Sequence, residues 1–284
     1  MIYGIGAALG WGFSDVFAAL AGRRAGSTRT ALLSEVASLV LFALLIPVGH
    51  PHWGVTAGDL VLMVVVGFIG AVGYLAIYAA LTAGPLALVS PIVAAYSAVV
   101  IALSLLVLDE RLGVVALAGA SVVIAGVALA SADPGQLRRP EALRGPGVKF
   151  ALVAMLAFGF GAFGLGRLAQ RLGWFLPAFV SRAGTLAVVV AAFALRGRTG
   201  ADPPGRSNGW IIMAVVAGAL DVAATVSFVY GSQVGLVSLV AAASAAYPLV
   251  PVVVGIRLFR ERVAPFQLAG AAAVIGGLVI LAFR

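Results

Sequence analysis

The sequence predicts an all-α integral membrane protein of ten transmembrane helices, built as two inverted five-helix repeats. Three observations carry this. Of the 284 residues, 63% are hydrophobic and only 10% are charged, against roughly 25% in a soluble domain. A water-soluble globule of this size needs a charged surface, and this chain cannot build one; the mean hydropathy of +1.15 agrees. The apolar runs are continuous over about 20 residues, the length of a spanning helix, and lack the short apolar-polar alternation of a β-barrel. Finally, the chain repeats itself at nearly constant offsets.

Taken in order, the runs fall at 2–21, 30–48, 60–82, 87–107, 113–131, 148–166, 177–195, 209–232, 236–256 and 264–282. Ten spans use about 200 of the 284 residues and leave only loops. The first run begins at Met1 with no basic residue before it, so it lacks the n-region of a signal peptide and reads as a true span. Residues 132–147 hold Asp133, Pro134, Arg138, Arg139, Pro140, Glu141, Arg144 and Pro146. They read as a linker between a first repeat, 1–131, and a second, 148–284. A Pro/Gly-rich loop at 196–208 separates spans 7 and 8.

The net charge of +8 belongs to orientation rather than to nucleic acid, because the basic residues lie between apolar runs. Loops after the odd-numbered spans hold 13 Lys and Arg, the opposite side holds 4, and Arg182 lies inside a span. The positive-inside rule then places those loops in the cytoplasm and both termini outside. With no cysteine, disulfides, thiol nucleophiles and Cys-based metal sites are excluded.

The repeat is read from matched residues. At an offset of 151, Gly84 matches Gly235, Ala94-Ala95-Tyr96 matches Ala245-Ala246-Tyr247, and Glu110-Arg111 matches Glu261-Arg262. At an offset of 147, Gly12-Phe13 matches Gly159-Phe160, Gly26 matches Gly173, and Ser34 matches Ser181. Each half has an odd number of spans, so the second copy is inverted. Inverted repeats mark secondary transporters, whose substrate sites lie near the midplane between the copies.

The pattern resembles the drug/metabolite transporter superfamily, and within it the EamA-type ten-helix transporters. The likeness rests on Gly10-Trp11-Gly12-Phe13-Ser14 in span 1 and Ala157-Phe158-Gly159-Phe160 in span 6. Asp109-Glu110-Arg111 and Arg260-Glu261-Arg262 add to it, each followed by a glycine helix, Gly119 to Gly126 and Gly270 to Gly277. The resemblance implies efflux or exchange of small metabolites, amino acids or drugs, usually driven by protons, and a cavity lined by spans 1–4 and 6–9. Glu35 stands near where such relatives often carry Arg, while the second copy keeps Arg182. Relatives are also drawn with cytoplasmic termini, against the count of basic residues.

A charge inside the bilayer costs at least about 2.5–3.5 kcal/mol on insertion scales, so it needs a partner or a wet cavity. Asp15, Glu35, Arg182 and Asp221 are the four candidates. Asp15 and Glu35 each lie about 10 Å below the surface that carries Arg23, Arg24 and Arg29, at about 1.5 Å per residue. They are read as proton-coupling groups with Asp221, the alternative for the first two being ion pairs with those rim arginines. Arg182 and Asp221 approach the same depth. They form either a buried structural pair or a site in which Arg182 binds a carboxylate and Asp221 a cation or proton.

Tyr74 and Tyr78 share one face of span 3, and their repeat equivalents Thr225 and Val229 lie one and two turns beyond Asp221. A cavity-facing Asp221 therefore brings Thr225, Tyr74 and Tyr78 with it as substrate-binding residues. Trp11 and Phe158 are further candidates, against a reading as helix packing around glycines. Pro91, Pro248 and Pro251 interrupt spans 4 and 9 as hinges or static bends. Ser90, Ser97 and Ser104 form a stripe read as packing, and Glu110 and Glu261 read as surface pairs among arginines.

Neither a metal site nor a cofactor is expected: His50 and His52 have no third ligand nearby, and Gly159-Phe-Gly161-Ala-Phe-Gly164 lies inside an apolar span. With no Walker A sequence or nucleophile constellation, neither an ATP motor nor an enzyme is expected. The expectation is a secondary active exporter of small organic metabolites, amino acids or drugs. It works by alternating access in the bacterial inner membrane and is coupled to protons. The alternatives are a gradient-independent facilitator of the same solutes and a lipid-carrier flippase. Its partners are the small-molecule substrate, protons and the lipid bilayer, with no nucleic acid and with a homodimer left open.

Overall fold

The computed structural model describes residues 1–49, 54–83, 92–131, 145–196, 209–258 and 264–282, and among them it contains helices and no strand. Helices are what lipid permits, since each backbone N–H and C=O then finds its partner within its own segment. The first half supplies α1 (Ile2–Ala25), α2 (Ser27–Leu44), the short α3 (Ile46–Gly49), α4 (Ala57–Ala83), α5 (Tyr96–Val107) and α6 (Val114–Ser131). The second supplies α7 (Pro146–Leu172), α8 (Phe175–Arg196), α9 (Gly209–Val234), α10 (Val237–Ser244), α11 (Leu249–Leu258) and α12 (Pro265–Ala282).

Six stretches among the described residues are long and apolar enough to cross a membrane: Ile2–Ala25, Ala57–Ile77, Pro146–Leu172, Phe175–Ala192, Gly209–Val234 and Val237–Val254. Ile92–Val107, Val114–Ala130 and Pro265–Leu281 are shorter apolar helices. The outer surface is apolar, with Leu106 79% and Val114 84% exposed, a cost in water but not in lipid. The protein is therefore a multi-pass helical membrane protein. Most of the linker expected at 132–147 lies outside the described residues, as do Pro91, Ser90, His50, His52, Glu261 and the Tyr78 side chain.

Glycine in a left-handed conformation separates α1 from α2 and α7 from α8. Gly26 has φ 87° and Gly173 has φ 82°, values that L side chains resist. The Gly26 N–H closes α1 on the Gly22 carbonyl at 2.9 Å, and the Gly173 N–H closes α7 on the Ala169 carbonyl at 3.0 Å. The Thr30 hydroxyl then accounts for the Gly26 carbonyl at 2.9 Å. Span 9 is two helices, α10 and α11, because Pro248 brings no N–H and its ring excludes a continuous turn. Its carbonyls are taken up by tighter bonds, Tyr247 N–H to Ser244 at 3.1 Å and Val250 N–H to Tyr247 at 3.2 Å. Pro251 lies within α11 without ending it.

The helix contacts come in pairs. α1 lies along α9, and α7 lies along α4; α2 packs on α9, and α8 packs on α4. α5 meets α10, and α6 meets α12. The polar contacts match in detail. Ser34 donates to the Ala214 carbonyl at 2.9 Å and Ser38 to the Gly218 carbonyl at 3.1 Å. Ser181 donates to the Met63 carbonyl at 3.1 Å and Thr185 to the Gly67 carbonyl at 3.0 Å. Gly12 faces Tyr247 and Val250, while Gly159 faces Tyr96 and Val99. Ser97 and Ser104 are fully buried in helix packing, as expected for that stripe.

Close approach fixes several glycines. A Cβ on Gly126 would lie 2.8 Å from the Val274 amide nitrogen and 2.9 Å from the Gly270 carbonyl, both backbone atoms that cannot swing away. Gly276 meets nothing within 4 Å. Gly126→Val is therefore expected to lower stability by about 1–3 kcal/mol, as overpacking does, read as a lower melting temperature in detergent. Gly276→Ala is expected to melt at or slightly above the wild-type temperature, since Ala favours helix.

Candidate functional site

Three helices bring charges together inside the bundle. Arg182 on α8 reaches Glu35 on α2 with one guanidinium nitrogen, at 2.9 and 3.1 Å to the two carboxylate oxygens. Its other terminal nitrogen bonds Asp221 on α9 and donates to the Thr225 hydroxyl at 3.2 Å. The side chains of Glu35, Arg182 and Asp221 are 2%, 11% and 19% exposed, so the cluster is shielded but not sealed. Charge-assisted bonds of this kind offset the loss of hydration that burial imposes. The arginine is satisfied by two carboxylates, and the cluster as a whole carries an excess of negative charge.

Beside it lies a cavity of about 70 Å³, room for a few waters and smaller than a typical small-ligand site in this conformation. Asp15, Glu35, Tyr74 and Asp221 line it, with the hydroxyls of Ser14, Thr30, Ser34 and Ser38. The Tyr74 hydroxyl hydrogen-bonds Glu35. Asp15 is exposed, and among the described residues its carboxylate has no hydrogen-bond or ion-pair partner. Most of the lining residues lie between the middle of α1, α2, α4 and α9 and the face that carries Arg23, Arg24 and Arg29. That face is called the basic face below.

The expected residues divide clearly. Asp15, Glu35, Asp221 and Tyr74 share the cavity, and Arg182 meets Asp221 with Thr225 beside them. Glu35 pairs with Arg182 rather than with the rim arginines. Trp11 packs on Phe228, ring centres 5.6 Å apart, and Phe158 packs against Gly73 in the helix seam. Neither belongs to the cavity lining. The expectation that Glu110 is a surface pair is corrected: it is 8% exposed and bonds the N-terminus of α10. That terminus carries free N–H groups, which attract a carboxylate more strongly than a hydrated surface arginine does.

Sequence reasoning passed over the cavity hydroxyls. Thr30, Ser34 and Ser38 recur every four residues, with Ala31 and Glu35 in the neighbouring row, which places all five on one helix face. That spacing was the available signal.

Fold and site together define a helical membrane protein with a small charged cavity inside its bundle. Residues 1–132, a little under half of the chain, match the EamA-like transporter family, part of the drug/metabolite transporter superfamily. That is a family of membrane transporters of small solutes and not of enzymes. No curated protein matches the chain. Among solved structures, one described as "Crystal structure of protein" aligns with a TM-score of 0.78 and 19% identity, covering 99% of this chain and 96% of its own. At that identity the likeness concerns the fold.

Removing Arg182 alone strands two carboxylates. Arg182→Met is expected to destabilise the protein by about 3 kcal/mol or more, the scale for breaking a buried pair, seen as a lower melting temperature. Adding Glu35→Gln and Asp221→Asn to that variant is expected to restore most of the loss.

Proposed function

We propose that the protein is a secondary transporter that exports a small organic cation in exchange for protons. It has ten spans in two inverted five-helix halves that alternate around the cavity, in a bacterial cytoplasmic membrane. The observation that carries this reading is the unpartnered Asp15 carboxylate, exposed in a cavity whose arginine is already engaged by Glu35 and Asp221. An anionic solute would meet uncompensated negative charge there. A solute ammonium or a proton would complete the site, and the two compete for the same oxygen atoms.

Exchange follows from that competition. Protonation of Asp15 removes one negative charge from the cavity and lets the empty carrier reorient; a cation binding from the basic face displaces the proton. The basic face is assigned to the cytoplasm by its 13 Lys and Arg, so the cavity loads from inside. Tyr74 offers a π face to the cation, and the nearby hydroxyls of Ser14 and Thr30 offer oxygen acceptors. The bonds of Arg182 favour a structural role for it over capture of a solute carboxylate. The inverted arrangement is supported by the matched contacts of α2 on α9 and α8 on α4.

Proteoliposomes with an acidic lumen test this, using radiolabelled tetraethylammonium as the probe. Wild-type protein is expected to accumulate it as protons leave, and collapsing the pH gradient is expected to stop accumulation. Asp15→Asn is expected to lower the rate roughly ten-fold or more, the factor that about 1.4 kcal/mol of lost interaction gives. Asp59→Asn, which touches Arg171 at 3.2 Å and Thr56 at the start of α4 and lies outside the cavity lining, is expected to transport normally. Full gradient-driven uptake by Asp15→Asn overturns the assignment of Asp15.

A further inference from the structure

We infer that Glu110 is the latch of a gate on the face opposite the basic one, and that its release lets that face open. The inference rests on the alternating-access reading above but on different residues. Glu110 follows α5 in the first half of the chain, while α10 belongs to the second. Its Oε1 accepts the Val237 N–H at 2.8 Å, and its Oε2 accepts the Ser238 N–H at 3.1 Å and the Ser238 hydroxyl. Val237 and Ser238 are fully buried. A single carboxylate thus takes up three donors at the positive end of a helix, across the two halves.

The backbone is arranged to deliver it. The Leu108 and Glu110 N–H groups both bond the Ser104 carbonyl, at 3.1 and 3.2 Å, so the chain turns back at the end of α5. Asp109 between them has φ 51°, the positive-φ non-glycine among the described residues. The α10 helix lacks a cap of its own. Its N-cap residue is Leu236, which offers no side-chain oxygen, where Ser, Thr, Asp or Asn would satisfy the helix locally and permanently. The chain instead borrows an acid 127 residues away in sequence.

Position gives this cap its meaning. The start of α10 lies beside the start of α1, where a Cβ on Gly4 would come within 2.6 Å of the Val240 carbonyl. That is the far end of α1 from Arg23 and Arg24. The cavity lining includes Ala18 and Thr30, near the basic ends of α1 and α2, whereas the Glu110 bonds hold the opposite face closed. Opening that face would expose carboxylate and helix end alike to water, which hydrates both. A polar latch of this kind is therefore reversible in a way that an apolar seam is not.

The absence of native cysteine allows a direct test with single cysteines and a water-soluble maleimide. Ala241→Cys, one turn below the latch and fully buried, reports the closed face; Ala18→Cys, in the cavity lining, reports the basic face. Adding Glu110→Gln replaces one acceptor oxygen with a donor that opposes the helix N–H groups. The expected result is reciprocal: labelling at position 241 rises roughly ten-fold, the factor for a 1.4 kcal/mol shift between states, and labelling at position 18 falls. Glu110→Asp, which keeps the charge, is expected to lie between. Unchanged rates overturn the latch, and so does a rise at both positions, which marks a loosened fold. The labelling needs no substrate, so a wild-type protein that failed to transport would overturn the proposed function and leave this result separate.

Discussion

The Arg182 guanidinium, held between Glu35 and Asp221, is the interaction on which the interior depends. It ties α2, α8 and α9 at one point, and it lets three charges exist where lipid would tolerate none unpaired. Its geometry also sets the electrostatics of the cavity. Because the arginine is satisfied on both of its terminal nitrogens, none of the described lining residues presents a positive group to the open space. Asp15, in the second half of α1, is left to define what that space attracts.

Such a cluster needs helices that approach closely without interlocking. Small residues provide this. Hydroxyl groups on α2 and α8 reach the carbonyls of α9 and α4, and glycines on those helices accept the crossing backbones. Seams of this kind are held by direct contact and modest hydrogen bonds, and not by exclusion of water, since lipid is as apolar as the interior. They can break and re-form with little change in exposed apolar area. The wholly buried Gly126, Gly270 and Gly277 contacts between α6 and α12 are tighter and carry no charge, which suits a fixed part of the structure.

Much of this was legible in the sequence, for physical reasons. Continuous apolar runs specify helices in lipid, and the break in span 9 was announced by Pro248. The meeting of Arg182 with Asp221 followed from depth alone, since each residue advances a helix by a fixed rise. The Glu35–Arg182 pair was harder. The two stand at matching places 147 residues apart, and only an arrangement that turns one helix toward the other brings them into contact. Glu110 was not legible: an acid beside arginine at a helix end is ordinarily hydrated. Its real partner is the capless start of a helix far along the chain. The one local hint was Leu236, a residue that leaves the first turn of α10 unsatisfied.

The two polar centres differ in kind, and that difference bears on how a single carrier can hold one state and still leave it. In the cavity, carboxylates share one arginine and an exposed acid stands free, so the balance there changes with what enters. At the far face, Glu110 meets only fixed backbone N–H groups and one hydroxyl, which no solute alters. A helix that is held at its N-terminus by Glu110 and broken at Pro248 is a short rigid rod between a polar clasp and a bend. Along its length it packs on α1, the helix that carries Asp15. On the proposed exchange, neutralising Asp15 would remove repulsion inside the cavity, and α1 would be the direct mechanical route from that event to the clasp.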